Sequence, residues 1–189
     1  MQHPIQIFDT GNIFDYIEIG YPYHPKNPAF FILKKGRIVY SENLDRIELT
    51  ANHVAIIDSR RVYEILEISD DLELQLTAFS REYTEKLPLK INRLNAFVWF
   101  RNELVRHFRM EKEPFDSIWQ ITALLKSVLE RPEPSAHRDE IIRHLFSSTV
   151  YLFADMITHV SRFSKEKISR KQEIVLQFLK NVGDCYLDE

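Results

Sequence analysis

The spacing of hydrophobic and polar positions changes period once along this chain. From Ile5 to about Phe79 the pattern is short and strand-like, and from Asn92 onward it is helical. This segregation predicts an α+β fold and argues against alternating βαβ units. Strands are expected at residues 6–8, 13–18, 29–33, 37–42, 53–58, 62–68 and 72–79. The last has the cleanest alternation: Leu72, Leu74, Leu76 and Ala78 share one face, and Glu73, Gln75 and Thr77 share the other. That pattern predicts one buried face and one wet face. Pro22, Pro25 and Pro28 forbid a central strand across 21–28, and Ser69-Asp70-Asp71 reads as a turn. Gly36 interrupts a strand-like run and marks a bend or bulge where a strand turns a corner. Several short strands so closely spaced predict a small antiparallel barrel or sandwich.

Helical spacing begins with a short turn at 80–83 and continues over 92–103, where Leu94, Phe97, Val98 and Phe100 recur. Pro114 then falls in the first turn of a stronger helix reaching about Arg131, a position where proline costs little because no intrahelical N–H bond is needed. The Arg131-Pro132-Glu133-Pro134-Ser135 segment ends it and is short enough to bring the next helix back antiparallel. That next helix, 136–163, has the widest apolar arc in the chain. Ile141, Leu145, Leu152 and Phe163 lie at one edge, Met156, Thr149, Ile142 and Val160 in the middle, and Phe153, Phe146, Ile157 and Val150 at the other. The arc of about 180° exceeds the roughly 100° stripe of a helix that covers one core. It fits either a central helix of one globule or a helix shared between its own domain and a second subunit. A last segment opens at Ser169, with Gln172 three residues on as a capping-box partner, and carries Ile174, Val175, Phe178, Leu179 and Val182.

Composition narrows the class. With 189 residues and 44% hydrophobic side chains, the chain can bury a core as one domain or as two small halves. No apolar run approaches the roughly 18 residues of a membrane span, and the amino terminus lacks an export pattern, so a cytoplasmic location is expected. Its single cysteine, Cys185, excludes an internal disulfide framework. A formal charge of −3 is the wrong balance for gripping nucleic acid through phosphates. Any contact with DNA would belong to another part of the protein.

Candidate chemistry is sparse. Among seven histidines, His24 and His53 stand far apart between expected strands, without the H-x-H pair that a metal-binding barrel requires, so no metal and no cofactor are expected. There is no nucleophile elbow, P-loop, H-E-x-x-H or glycine-rich dinucleotide turn. Carboxylate pairs such as Asp70-Asp71 and Glu111/Glu113 sit in turns. The chain is not expected to be an enzyme. What remains is an interior lined by Phe31, Leu33, Tyr40, Ile56 and Tyr63, which is either a filled core or an enclosure for a small ligand.

Three stretches carry a family resemblance: FFILKKG at 30–36, IELTANHVAIID at 47–58 and ISDDLELQLTAFSREY at 68–83. Together they resemble the amino-terminal half of AraC-type transcriptional regulators, particularly those of Bacteroides-like bacteria. RKQEIVLQFLK at 170–180 is similar to that family's linker helix. The pattern departs at Ala51-Asn52-His53, where many relatives have a proline-glycine turn, and at Asp58-Ser59-Arg60, where many have prolines. The resemblance implies a cupin-like small antiparallel β-barrel over 1–85, a helical hairpin used for dimerisation over 86–165, and a linker helix over 166–189. That helix would lead to a carboxy-terminal helix-turn-helix domain that this chain lacks. It also implies a homodimer, a possible small-molecule effector, and contact with DNA only through the absent domain. The helical edge carrying Leu145 and Leu152, with Thr149 and Met156 beside it, is the expected dimerisation surface. A metal-dependent cupin-type enzyme and a ligand-free interaction domain are the alternatives.

Overall fold

The computed structural model describes residues 3–89, 107–132 and 135–164, with side chains as far as Met156. The helices expected at 92–103 and 169–182, and Cys185, lie outside the described residues. Among those described, nine strands form two antiparallel sheets and three α-helices follow or flank them. The strands are β1 (Ile5–Asp9), β2 (Pro22–Tyr23), β3 (Ala29–Lys35), β4 (Arg37–Glu42), β5 (Asp45–Thr50), β6 (His53–Ile57), β7 (Tyr63–Ile68), β8 (Glu73–Phe79) and β9 (His107–Arg109). The helices are α1 (Arg81–Glu85), α2 (Lys112–Leu129) and α3 (Arg138–Ser164). One sheet has the order β1-β8-β3-β6-β9 and the other β2-β7-β4-β5. The architecture is therefore α+β with two separate sheets. The expected small antiparallel barrel or sandwich takes the form of two antiparallel sheets, with no closed barrel among the described residues: β3 and β4, consecutive in the chain, belong to different sheets.

Residue chemistry explains the corners. Gly36 lies between β3 and β4 with φ +81°, and a Cβ there would stand 2.4 Å from Ser69 Oγ and 2.9 Å from the Leu72 backbone. The missing side chain lets the Ser69 turn close on this corner: the Arg37 N–H donates to Ser69 Oγ at 2.8 Å, and the Ser69 N–H donates to the Arg37 carbonyl at 2.9 Å. The β4–β5 hairpin pairs Glu42 with Asp45 across Asn43 and Leu44, whose φ values of 49° and 79° are both left-handed. Such a two-residue turn matches the twist of the strands it joins, though its second position favours glycine.

Two cores share the larger sheet. Between the sheets, Phe31, Leu33, Ala55 and Leu74 pack against Ile38, Tyr40, Leu49, Tyr63 and Ile65. On its other face the larger sheet buries Phe30, Ile32, Val54, Gln75, Thr77 and Phe79. Phe79 meets Phe146 of α3 with ring centroids 5.2 Å apart, and Thr122 of α2 donates to Gln75 Oε1 at 2.6 Å. This second core corrects the expectation of a wet Gln75/Thr77 face on β8. Gln75 is tolerated on that face because it has a helical hydroxyl to bond, whereas the buried Thr77 Oγ1 finds no partner among the described residues.

Two other expectations changed. Residues 13–18 are not a strand; Ile13–Asp15 forms a 3-10 turn, closed by the Tyr16 N–H donating to the Ile13 carbonyl at 3.1 Å. The strand β5 was not expected, because only Ile47 and Leu49 carry its inward alternation among charged neighbours. Helix α1 begins at Ser80, whose Oγ accepts from the Tyr83 N–H at 3.2 Å, as an N-cap should. Arg138, opening α3, donates to the carbonyls of Val128 and Leu129 at 3.3 and 2.5 Å and so caps the end of α2. By compactness the described residues fall into two units, one of 3–89 with 107–149 and one represented by 150–164.

Candidate functional site

Between the two sheets the first unit holds an apolar cavity with an empty volume of about 580 Å³, its open mouth included. Its wall is built from opposed strands: Phe31 of β3, Ala55 and Ile57 of β6, and Leu74 and Leu76 of β8 face Ile38 and Tyr40 of β4 and Tyr63 and Ile65 of β7. Two-residue periodicity aims these alternate positions inward. The segment between β1 and β3 closes one side with Ile13, Phe14, Ile17, Tyr23 and Pro25. Positions 13, 14 and 17 reach one wall because the chain there coils into a 3-10 turn, which an extended strand of the same sequence would prevent.

The wall presents only apolar atoms, and the hydroxyl of Tyr63 shows how. Its ring faces the cavity while its Oη donates to Glu42 Oε1 at 3.3 Å and accepts from the Asp58 N–H at 2.9 Å. Glu42 is 4% exposed and is paired with Arg61 Nε at 3.3 Å. Burial, with the Glu42 and Asp58 carboxylates adding to it, pushes the Tyr63 phenol well above its ordinary pKa. Desolvation raises the Asp58 carboxyl, but hydrogen bonds from Arg60 and the charges of Arg60 and Arg61 outweigh it and hold the group below the usual carboxylate range. Burial alone raises Tyr23. The Tyr63 hydroxyl and the Asp58 carboxylate thus have local structural roles. The cavity offers van der Waals contact and exclusion of water, and its wall brings no nucleophile or general base to a bound molecule.

Of the residues expected to line an interior, Phe31, Tyr40 and Tyr63 line the cavity. Leu33 is fully buried in the same core without reaching the cavity wall. Ile56 is a correction: it lies between Ala55 and Ile57, which face inward, so its own side chain belongs to the other face of the sheet. His53-Val-Ala-Ile-Ile57 has buried residues on both faces, and hydrophobicity carries no parity signal in such a strand. Ile13, Phe14 and Ile17 were missed, although their i, i+1, i+4 spacing is helical and could have been read.

On α3, Ile142 and Phe146 are buried, whereas Ile141 is 38% exposed and Leu145, Leu152 and Met156 are half-buried. Thr149, also expected on that surface, is fully buried and its Oγ1 donates to the Leu145 carbonyl at 2.9 Å. Among the described residues no group of three or more histidine, cysteine, aspartate or glutamate side chains could hold a metal ion, and no helix is long and apolar enough to cross a membrane.

No protein-family model and no curated protein matches this sequence. Solved structures similar to the chain include apo ToxT from Vibrio cholerae, at 12% identity and a TM-score of 0.45, covering 88% of this chain and 65% of that one. The unsaturated-fatty-acid-bound wild-type ToxT from the same organism matches at 12% identity and a TM-score of 0.43, over 86% of this chain and 57% of that one. The AraC-like transcriptional activator CuxR matches at 11% identity and a TM-score of 0.42, over 78% of this chain and 49% of that one. The chain thus spans about two thirds or less of the length of these proteins.

Proposed function

We propose that this chain is the ligand-sensing and dimerisation region of a DNA-binding transcriptional regulator of the AraC type, with a cupin-like β region as sensor and α2 and α3 as the pairing element. The observation that carries the sensing half is the cavity, which Phe31, Tyr40 and Tyr63 help to line in a β region whose sequence resembles that family. The pairing half rests on α3: its two apolar edges differ, and the edge of Ile141, Leu145 and Leu152 is the one left partly uncovered. Two copies joined there would present two attached DNA-binding domains to two half-sites. An effector shifts such a system only by binding one arrangement better than another.

Light scattering tests the pairing. The wild-type chain should be a dimer, and Leu145→Glu with Leu152→Glu should give a monomer with an unchanged β-rich circular dichroism spectrum. A dimer that survives both charges, or a monomeric wild type, refutes the assignment.

A further inference from the structure

The wall chemistry of the inter-sheet cavity narrows what it can hold. Every lining atom exposed to it is apolar, and the Tyr63 hydroxyl is already committed to Glu42 and the Asp58 N–H on the far side of the ring. A hydroxyl or amide carried inside would therefore lose its water without gaining a partner, which disfavours it by tenfold or more in affinity. The segment of residues 10–28, which closes one side with Ile13, Phe14 and Ile17, carries exposed Asp15, Glu18 and Lys26, and so sets no single sign of charge beside the cavity.

We propose that the cavity binds a predominantly hydrocarbon molecule whose only polar group, if it has one, sits at a single end outside the apolar wall. This rests on the sensing reading above and adds the class of ligand to it. Recognition then comes from shape and from the water displaced off an apolar wall. The ring of Tyr63 ties occupancy to the buried Glu42–Arg61 pair behind it, because the ring cannot shift without disturbing the hydroxyl that bonds Glu42.

Three eight-carbon probes test this on the full chain: 1-octanol, 1,8-octanediol and octanoate at pH 7.5. Binding is followed by isothermal titration and by methyl NMR shifts of Ile38, Ala55, Ile65 and Leu74. Octanol is expected to bind and to move those methyl groups. Octanediol, which must bury a second hydroxyl, should bind at least tenfold more weakly, whereas octanoate, whose single polar end can stay outside the wall, should bind within tenfold of octanol. Ala55→Phe, filling the wall, should abolish the octanol shifts, and Leu76→Phe does the same from another strand of the same sheet if the first variant fails to fold. Octanediol equal to octanol, or octanoate more than tenfold weaker than octanol, overturns the ligand class while leaving a sensing cavity in place. Failure of all three to bind or to raise the melting temperature overturns the sensing reading and this inference with it.

Discussion

Replacing Tyr63 with phenylalanine removes one oxygen and separates the two jobs of this side chain. The ring still walls the cavity, but the Asp58 N–H loses its acceptor at 2.9 Å and Glu42 loses a donor at 3.3 Å. Glu42 keeps Arg61, and the Asp58 N–H is only partly buried, so water recovers some of the loss. A net cost of about 1–3 kcal/mol at pH 7 follows from the usual worth of such bonds. The pH dependence supplies a sharper check. Burial raises the phenol's pKa in the folded state above its ordinary value of 10. Below pH 10 both states hold the proton and the contribution is fully present. As pH rises beyond 10 the unfolded chain ionises first, and stability is lost toward the folded pKa. At pH 11 the wild type should thus have given up about 1.4 kcal/mol through this group, a loss the phenylalanine variant cannot show. Urea unfolding of both proteins at pH 7, 9 and 11 measures it: the gap should be constant from 7 to 9 and narrow by 11. A gap unchanged at pH 11 would mean that the phenol ionises as freely folded as unfolded, refuting the burial argument. Octanol affinity should stay within about threefold throughout, because the lost oxygen does not face the cavity.

Two backbone positions give further tests. Gly36→Ala forces a Cβ into Ser69 Oγ and the Leu72 backbone at a left-handed φ, and should cost more than about 2 kcal/mol in urea unfolding, since the left-handed conformation alone costs about 1–2 kcal/mol. Leu44→Gly, at a turn position with φ 79° and 95% exposed, should instead stabilise by about 0.5–1 kcal/mol, the relief of strain exceeding glycine's entropy cost. A loss of stability there would mean that the hairpin tolerates leucine without strain.

Much of the fold could be read locally. The strand spans 29–33, 37–42, 53–58 and 72–79 overlap β3, β4, β6 and β8 closely, the corner at Gly36 falls where the two sheets part, and Pro114 lies in the first turn of α2. These are properties of a few adjacent residues: side-chain period, a missing Cβ, a missing N–H. Periodicity failed where burial was two-sided. β3 and β6 have apolar residues on both faces, so the parity that separates Ile56 from the cavity wall is invisible in the sequence. On β8, Gln75 and Thr77 looked solvated and are covered by helix.

By itself the sequence determined the passage from a strand region to a helical one, the corner at Gly36, and the lack of familiar catalytic motifs. Those features depend on local backbone preference and on residue type. Only the tertiary structure decided that the strands split into two sheets, which faces became core, and that the space between the sheets stayed partly empty with the Tyr63 hydroxyl turned away from it. Each of those outcomes depends on which strand pairs with which and on how side chains from distant segments fill a shared volume.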